Sequence, residues 1–318
     1  MTAQPPTSAQ PPTPAPATRR AAAAALRNDG LGQVRLRFGG VLRSEWIKLW
    51  SVRSTWWTLA ILVAVGFGLA LLVGFAIASL AQQTEAAGAG AGEVLMQGDA
   101  DLQTVQMLQF AASGIGAAAL VASVFGVLNI TAEYSGGSIT TSMLAVPRRW
   151  PVLLAKAVVI GGVLAVLGFV TMALSAIAVS LLLAGQLPGQ HPFSSQMLLV
   201  SGGAAAYLGA LGIISVHIGS IVRSTAAGIA IVVGLLMIVP TVLSIVSGFD
   251  ISWALTVNDW LPGAAGSALT TLPMDAPEGL DTSGARDQMV AWQGGVSLAA
   301  WALVTGALSW VLTLRRDV

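Results

Sequence analysis

Six stretches of about twenty residues or more run through the chain without a single Asp, Glu, Lys or Arg. They are Trp57 to Leu80, Met107 to Ile130, Ala157 to Ala184, Met197 to Val222, Ala226 to Val246 and Val296 to Leu314. A helix rises ~1.5 Å per residue, so ~20 apolar residues cross a hydrocarbon layer ~30 Å thick. Backbone in lipid finds no water, and each segment must satisfy its own N–H and C=O groups, as a helix does. A membrane β-barrel would show short alternating segments in place of unbroken runs. The expected fold class is therefore an all-α polytopic membrane protein with six transmembrane helices. Pro240 lies inside the fifth run and is expected to kink it.

Only 9% of the residues are charged and 55% are hydrophobic. Soluble domains carry about 25% charged residues, so lipid is the solvent that fits. With no cysteine and two histidines, the chain offers no disulfide framework and no zinc cluster. No metal and no cofactor of its own is expected, and no nucleic-acid partner.

Orientation follows from the 15 Lys and Arg. Eight precede the first run: Arg19, Arg20, Arg27, Arg35, Arg37, Arg43, Lys48 and Arg53. Arg148, Arg149 and Lys156 lie between the second and third, Arg223 between the fourth and fifth, and Arg315 and Arg316 after the sixth. Only Arg286 falls on the other side. The excess of basic residues marks the cytoplasmic face, which places a multi-pass chain in the cell (plasma) membrane with both termini cytoplasmic.

Residues 1–30 are rich in Pro, Ala and Thr and hold almost no bulky apolar side chain, the composition of a disordered tail. Arg19-Arg20 is followed by an apolar stretch only from Ala21 to Leu26, too short for the core of an export signal. Residues 31–318 form the six-helix membrane domain. Within it, 41–54 reads as an amphipathic interfacial helix before the first span. Leu42, Trp46, Leu49 and Trp50 would share one side, and Ser44, Lys48 and Ser51 the other. A plain anchor leading into the first span is the alternative. On the outer side, Trp253, Trp260 and Leu261-Pro262-Gly263-Ala264-Ala265-Gly266 suggest short helices at the membrane surface.

The connection between the second and third spans contains a candidate short helix. Gly136-Gly137 breaks the preceding helix, and Ser138 can cap a new one. Ile139, Met143 and Val146 would then share a face, with Pro147 ending it and Arg148-Arg149 after it. That face needs a cover: the membrane, the protein's own helices, or a partner. His217, inside the fourth span, is expected as a neutral side chain hydrogen-bonded between helices, with no intramembrane carboxylate to pair with. Small residues at four-residue spacing, as in Gly202, Ala206 and Ala210 or Ala112 and Gly116, would allow close helix packing. No G-x-x-x-x-G-K-[ST] phosphate loop occurs, nor H-E-x-x-H, nor G-x-S-x-G.

Three segments resemble the permease subunit of ABC transporters in the type-2 exporter branch, in particular the short stand-alone permeases of actinobacteria. The first is Arg43-Ser44-Glu45-Trp46-Ile47-Lys48-Leu49 with Val52 to Trp57, similar to the family's opening interfacial helix. The second is Glu133-Tyr134 through Pro147-Arg148-Arg149 to Lys156, similar to its first cytoplasmic loop. The third is Leu261-Pro262 with Ala265-Gly266 ahead of the last span. The likeness covers about Leu42 to Arg316, and the tail before Asn28 has no counterpart in it.

The resemblance implies a division of labour. A separate cytoplasmic ABC ATPase subunit would bind ATP and Mg and hydrolyse the nucleotide, and a second permease copy, identical or sibling, would complete the pathway. Ser138, Ile139, Met143 and Val146 would form the coupling helix seated on the ATPase, braced by Glu133 and Arg148. Glu45 and Lys48 would sit where the opening helix meets the ATPase. The rival readings are a non-transporting membrane scaffold or assembly factor and an ion-coupled secondary transporter. The latter is expected to show interrupted helices with polar residues at mid-membrane.

Overall fold

The computed structural model describes residues 37–86, 100–136, 150–185, 193–249, 251–272 and 289–315. The N-terminal tail, the connection holding Ser138, Ile139, Met143, Val146 and Arg148, and the loop with His191 lie outside the described residues. Those described form helices and no strand. In chain order they are α1 (Phe38–Ser51), α2 (Arg53–Ala86), α3 (Ala100–Ala112), α4 (Ile115–Ser135), α5 (Trp150–Leu183), α6 (Ser195–Val222), α7 (Thr225–Val233), α8 (Val239–Ser247), α9 (Ser252–Asp259), α10 (Pro262–Thr270) and α11 (Ala291–Arg315). Six units are long and apolar enough to cross a membrane: α2, α3 with α4, α5, α6, α7 with α8, and α11. The shortest has 23 residues, ~35 Å of helix, enough for the hydrocarbon layer. The protein is an all-α, multi-pass membrane protein.

The bundle is built around α6, which packs on α5, α4, α10 and α11. Helices that are apolar on every side belong in the middle of a bundle, and α6 fits: 61% of its apolar window is buried, against 11% for the fifth span. The outer helices turn large side chains away from the bundle, among them Trp57, Leu72 and Phe75 of α2 and Leu303 and Val304 of α11. A water-facing surface would not carry such a rim, whereas lipid accommodates it.

Small residues set the closest approaches, in a phase the sequence did not reveal. Gly202 and Ala206 face outward, and Gly202 has open space beside it. The packed face of α6 lies one residue on. A Cβ at Gly203 would stand 1.8 Å from the Leu269 carbonyl oxygen of α10. Likewise, α3 and α4 break at Ser113-Gly114 where α2 crosses: a Cβ at Gly114 would meet the Gly66 carbonyl oxygen at 1.8 Å.

Two further expectations are refined. Between α7 and α8, Gly234–Ile238 forms a π turn in which the Val239 N–H reaches back to the Gly234 carbonyl. Pro240 cannot donate a backbone hydrogen bond and crowds the preceding turn, and the wider turn is one way a helix admits it. The outer segment does form two short helices, but α10 is not at the surface. Pro262, Ala265, Gly266 and Ala268 are buried against α6 and α11. The Trp260 carbonyl fixes this corner by accepting from both Ser297 Oγ and Trp301 Nε1, each at 2.9 Å.

Candidate functional site

Charged side chains that are far apart in sequence meet at one end of the bundle. The approach begins with α1, whose inward positions recur at i, i+4 and i+8: Val41, Glu45 and Leu49. Val41 packs on Val152 and Ala155 in the first turns of α5. One turn along, Glu45 therefore faces Lys156. The elbow from α1 into α2 is extended at Val52 and bridged by aromatic rings. Trp50 contacts Trp46 edge-on at 5.4 Å and Trp56 at 4.6 Å between ring centroids, arrangements that favour a fixed elbow.

Glu45 is 4% exposed and Lys156 6%. The Lys156 ammonium lies 2.7 Å from Glu45 Oε2, angled outside hydrogen-bond range, and donates to Glu133 Oε1 at 2.9 Å. Lys48 donates to Glu45 Oε1 at 2.8 Å and approaches Glu133 Oε1 at 3.5 Å. Two carboxylates and two ammoniums thus alternate and join α1, the last turn of α4 and the second turn of α5. Burying an unpaired charge costs several kcal/mol, so each buried member holds its partner in place. Burial acts to raise the Glu45 pKa, but the Lys156 and Lys48 ammoniums outweigh it and hold the carboxyl below its ordinary range. For Lys48 burial acts downward, and bonding to Glu45 with the charge of Glu133 reverses this into a raised pKa.

This arrangement corrects the expected faces of α1. Trp46, expected on the same side as Leu49, is half exposed, and Glu45, which was assigned to neither side, points into the bundle. Lys156 supplies the physical reason, because a neutralised carboxylate can be buried where a lone one cannot. Of the site residues named from sequence, Glu45, Lys48 and Glu133 come together. Ser138, Ile139, Met143, Val146 and Arg148 fall outside the described residues, in the connection that leaves α4 just after Glu133 and returns just before Lys156. The network lines a cavity of about 530 Å³ whose other walls include Phe125 and Ile160.

Lys156 has a larger part than its sequence position suggested. So do two residues beside the network: the Arg223 guanidinium stands over the Tyr134 ring, 5.3 Å from its centroid, at the turn between α6 and α7. His217 is buried beside Gly306 of α11, yet its Nδ1 has no hydrogen-bond partner. The interhelical bond expected of it is made one turn away by Ser220 and Ser309. Among the described residues, no group of His, Asp and Glu is placed to hold a metal ion.

A family model described as ABC-2 family transporter protein matches residues 41–318, from the first buried turn of α1 to the end of the chain. The chain belongs to the ABC-2 family. No match to a curated protein accompanies it. All four charged residues of the network lie within the matched span. As an ABC-2 family member the protein is the membrane-spanning permease of an ABC transporter, and membership implies an ATPase partner in general terms.

Proposed function

We propose that this permease is the membrane half of an ATP-driven exporter and that its charged end faces the cytoplasm, where a separate ATPase subunit docks. The observation carrying this reading is the four-charge network at the two roots of the 137–149 connection. Glu133 precedes that connection and reaches α1 through Lys48, while Lys156 follows it and reaches α1 through Glu45. A push on the connection is therefore passed to the interfacial helix through buried ion pairs in place of loose contacts. Ser138 to Val146 form the coupling segment, with Ile139, Met143 and Val146 meeting the ATPase and Glu133 and Arg148 bracing it. Glu45 and Lys48 sit where the interfacial helix meets the ATPase, the exposed Lys48 at the contact and the buried Glu45 relaying the force behind it.

ATP and Mg bind the partner, whose closure rocks two permease bodies between inward and outward states. The Lys and Arg excess at the charged end supports the cytoplasmic assignment and, with it, cytoplasmic termini. The experiment is co-purification of the permease with the ATPase encoded beside it. Ile139→Glu with Met143→Glu abolishes that association while the permease still extracts as a folded protein. Undiminished ATPase association in the double variant would remove the coupling assignment.

A further inference from the structure

The network accounts for one side of the last turn of α4. Its other side is engaged too, with a different span. Val127, Thr131 and Tyr134 follow each other at i, i+4 and i+7, one helical face. Each meets the start of the fifth span. Gly228 of α7 lies against Val127, so closely that a Cβ there would stand 2.7 Å from Val127 Cγ1. Thr225 Oγ1 donates to Thr131 Oγ1 at 2.9 Å. Arg223 covers the Tyr134 ring.

The fifth span has few other anchors, because it is the least buried of the six. It is also separated from α6 by only Arg223 and Ser224. Arg223 has φ 56°, the only positive φ at a non-glycine among the described residues, and its N–H caps α6 on the Gly219 carbonyl. A left-handed arginine persists when its surroundings hold it there. Here the surroundings are the α6 terminus on one side and the Tyr134 ring on the other.

We infer that Tyr134 and Arg223 form a second strut from α4, by which the fifth span is positioned by the same displacement that Glu133 passes to α1. Glu133 and Tyr134 are adjacent, so one turn of helix drives two elements on opposite sides. Arg223 is a positioning residue: the start of α7 moves with α4, and the two-residue turn takes up the motion relative to α6. This rests on the reading that the 137–149 connection receives the ATPase stroke.

The test uses the permease–ATPase complex, and the natural absence of cysteine makes it direct. Thr131→Cys with Thr225→Cys places two thiols where hydroxyls now touch. Oxidation to the cross-linked form leaves ATP hydrolysis within twofold of the reduced complex if α4 and α7 travel together. A loss above tenfold, restored by reductant, would overturn the strut. Independently, Tyr134→Leu lowers the ATP turnover number about tenfold with KM for ATP and ATPase association unchanged, while Tyr134→Phe keeps the ring and the parental rate. Parental turnover in Tyr134→Leu would also overturn it. The unmodified complex separates the two layers: absence of the ATPase there defeats the coupling reading itself, whereas a defect confined to the oxidised pair defeats only the strut.

Discussion

Lys156→Met is the most informative single change at the charged end. Methionine keeps the length of the lysine stem, so packing around α5 is largely conserved and the charge alone is removed. Glu45 and Glu133 are then left with Lys48 as their one cation among the described residues, and the Lys48 side chain is 42% exposed. Breaking a buried pair by deleting one partner costs about 3–5 kcal/mol. The folded variant can relieve the strain by protonating Glu45. From an ordinary carboxyl pKa of 4.5, that costs about 3.4 kcal/mol at pH 7, at ~1.36 kcal/mol per unit. The expected penalty is therefore about 3 kcal/mol at pH 7. The variant then binds one proton more when folded than when unfolded, so its stability rises as pH falls, and the penalty shrinks to about 1 kcal/mol at pH 5. Reversible unfolding of the detergent-solubilised permease at the two pH values measures this. Lys156→Met/Glu45→Gln should recover most of the loss at pH 7. A Lys156→Met variant within 0.5 kcal/mol of the parent, or a penalty indifferent to pH, would show that the network does not hold the helices together.

Other consequences follow from the same geometry. In the parent, the Glu45 carboxyl is held below its ordinary value, so its contribution is present above about pH 4.5 and is lost only on acidification through the lowered pKa. The raised Lys48 pKa makes its contribution fully present below about pH 10.5 and lost above it. Between pH 5 and 10, roughly, these two groups leave stability flat, which an unfolding series across pH checks. Gly203→Ala drives a methyl into the Leu269 carbonyl and should destabilise by about 1–3 kcal/mol, separating α10 from α6. Gly202→Ala, into open space one residue earlier, should be neutral in the same unfolding assay.

The spans were readable because their signal is continuous: about twenty uncharged residues have few physical solutions in a membrane. Their phases were not readable. A helix apolar all round, such as α6, carries no stripe to say which face is packed, and so Gly202 was expected where Gly203 does the packing. The ion network was hidden for a different reason. Lys156 lies 23 residues from Glu133, across a connection, and much further from Glu45. Taken singly it reads as one more basic residue marking the cytoplasmic side. The available signal was a carboxylate, Glu45, set between Val41 and Leu49 on one helical face, which requires a cation from elsewhere. Arg223 gave no comparable signal, because a left-handed turn usually advertises itself through glycine or asparagine.

The account depends on the charged end facing the cell interior, because only there can an ATPase press on the roots of the 137–149 connection. Ser135 is exposed on the last turn of α4, two residues from Glu133. A Ser135→Cys variant, the sole thiol in the chain, should react with a membrane-impermeant maleimide in inverted membrane vesicles and remain unlabelled in intact cells. Labelling in intact cells, with protection in inverted vesicles, would contradict the account.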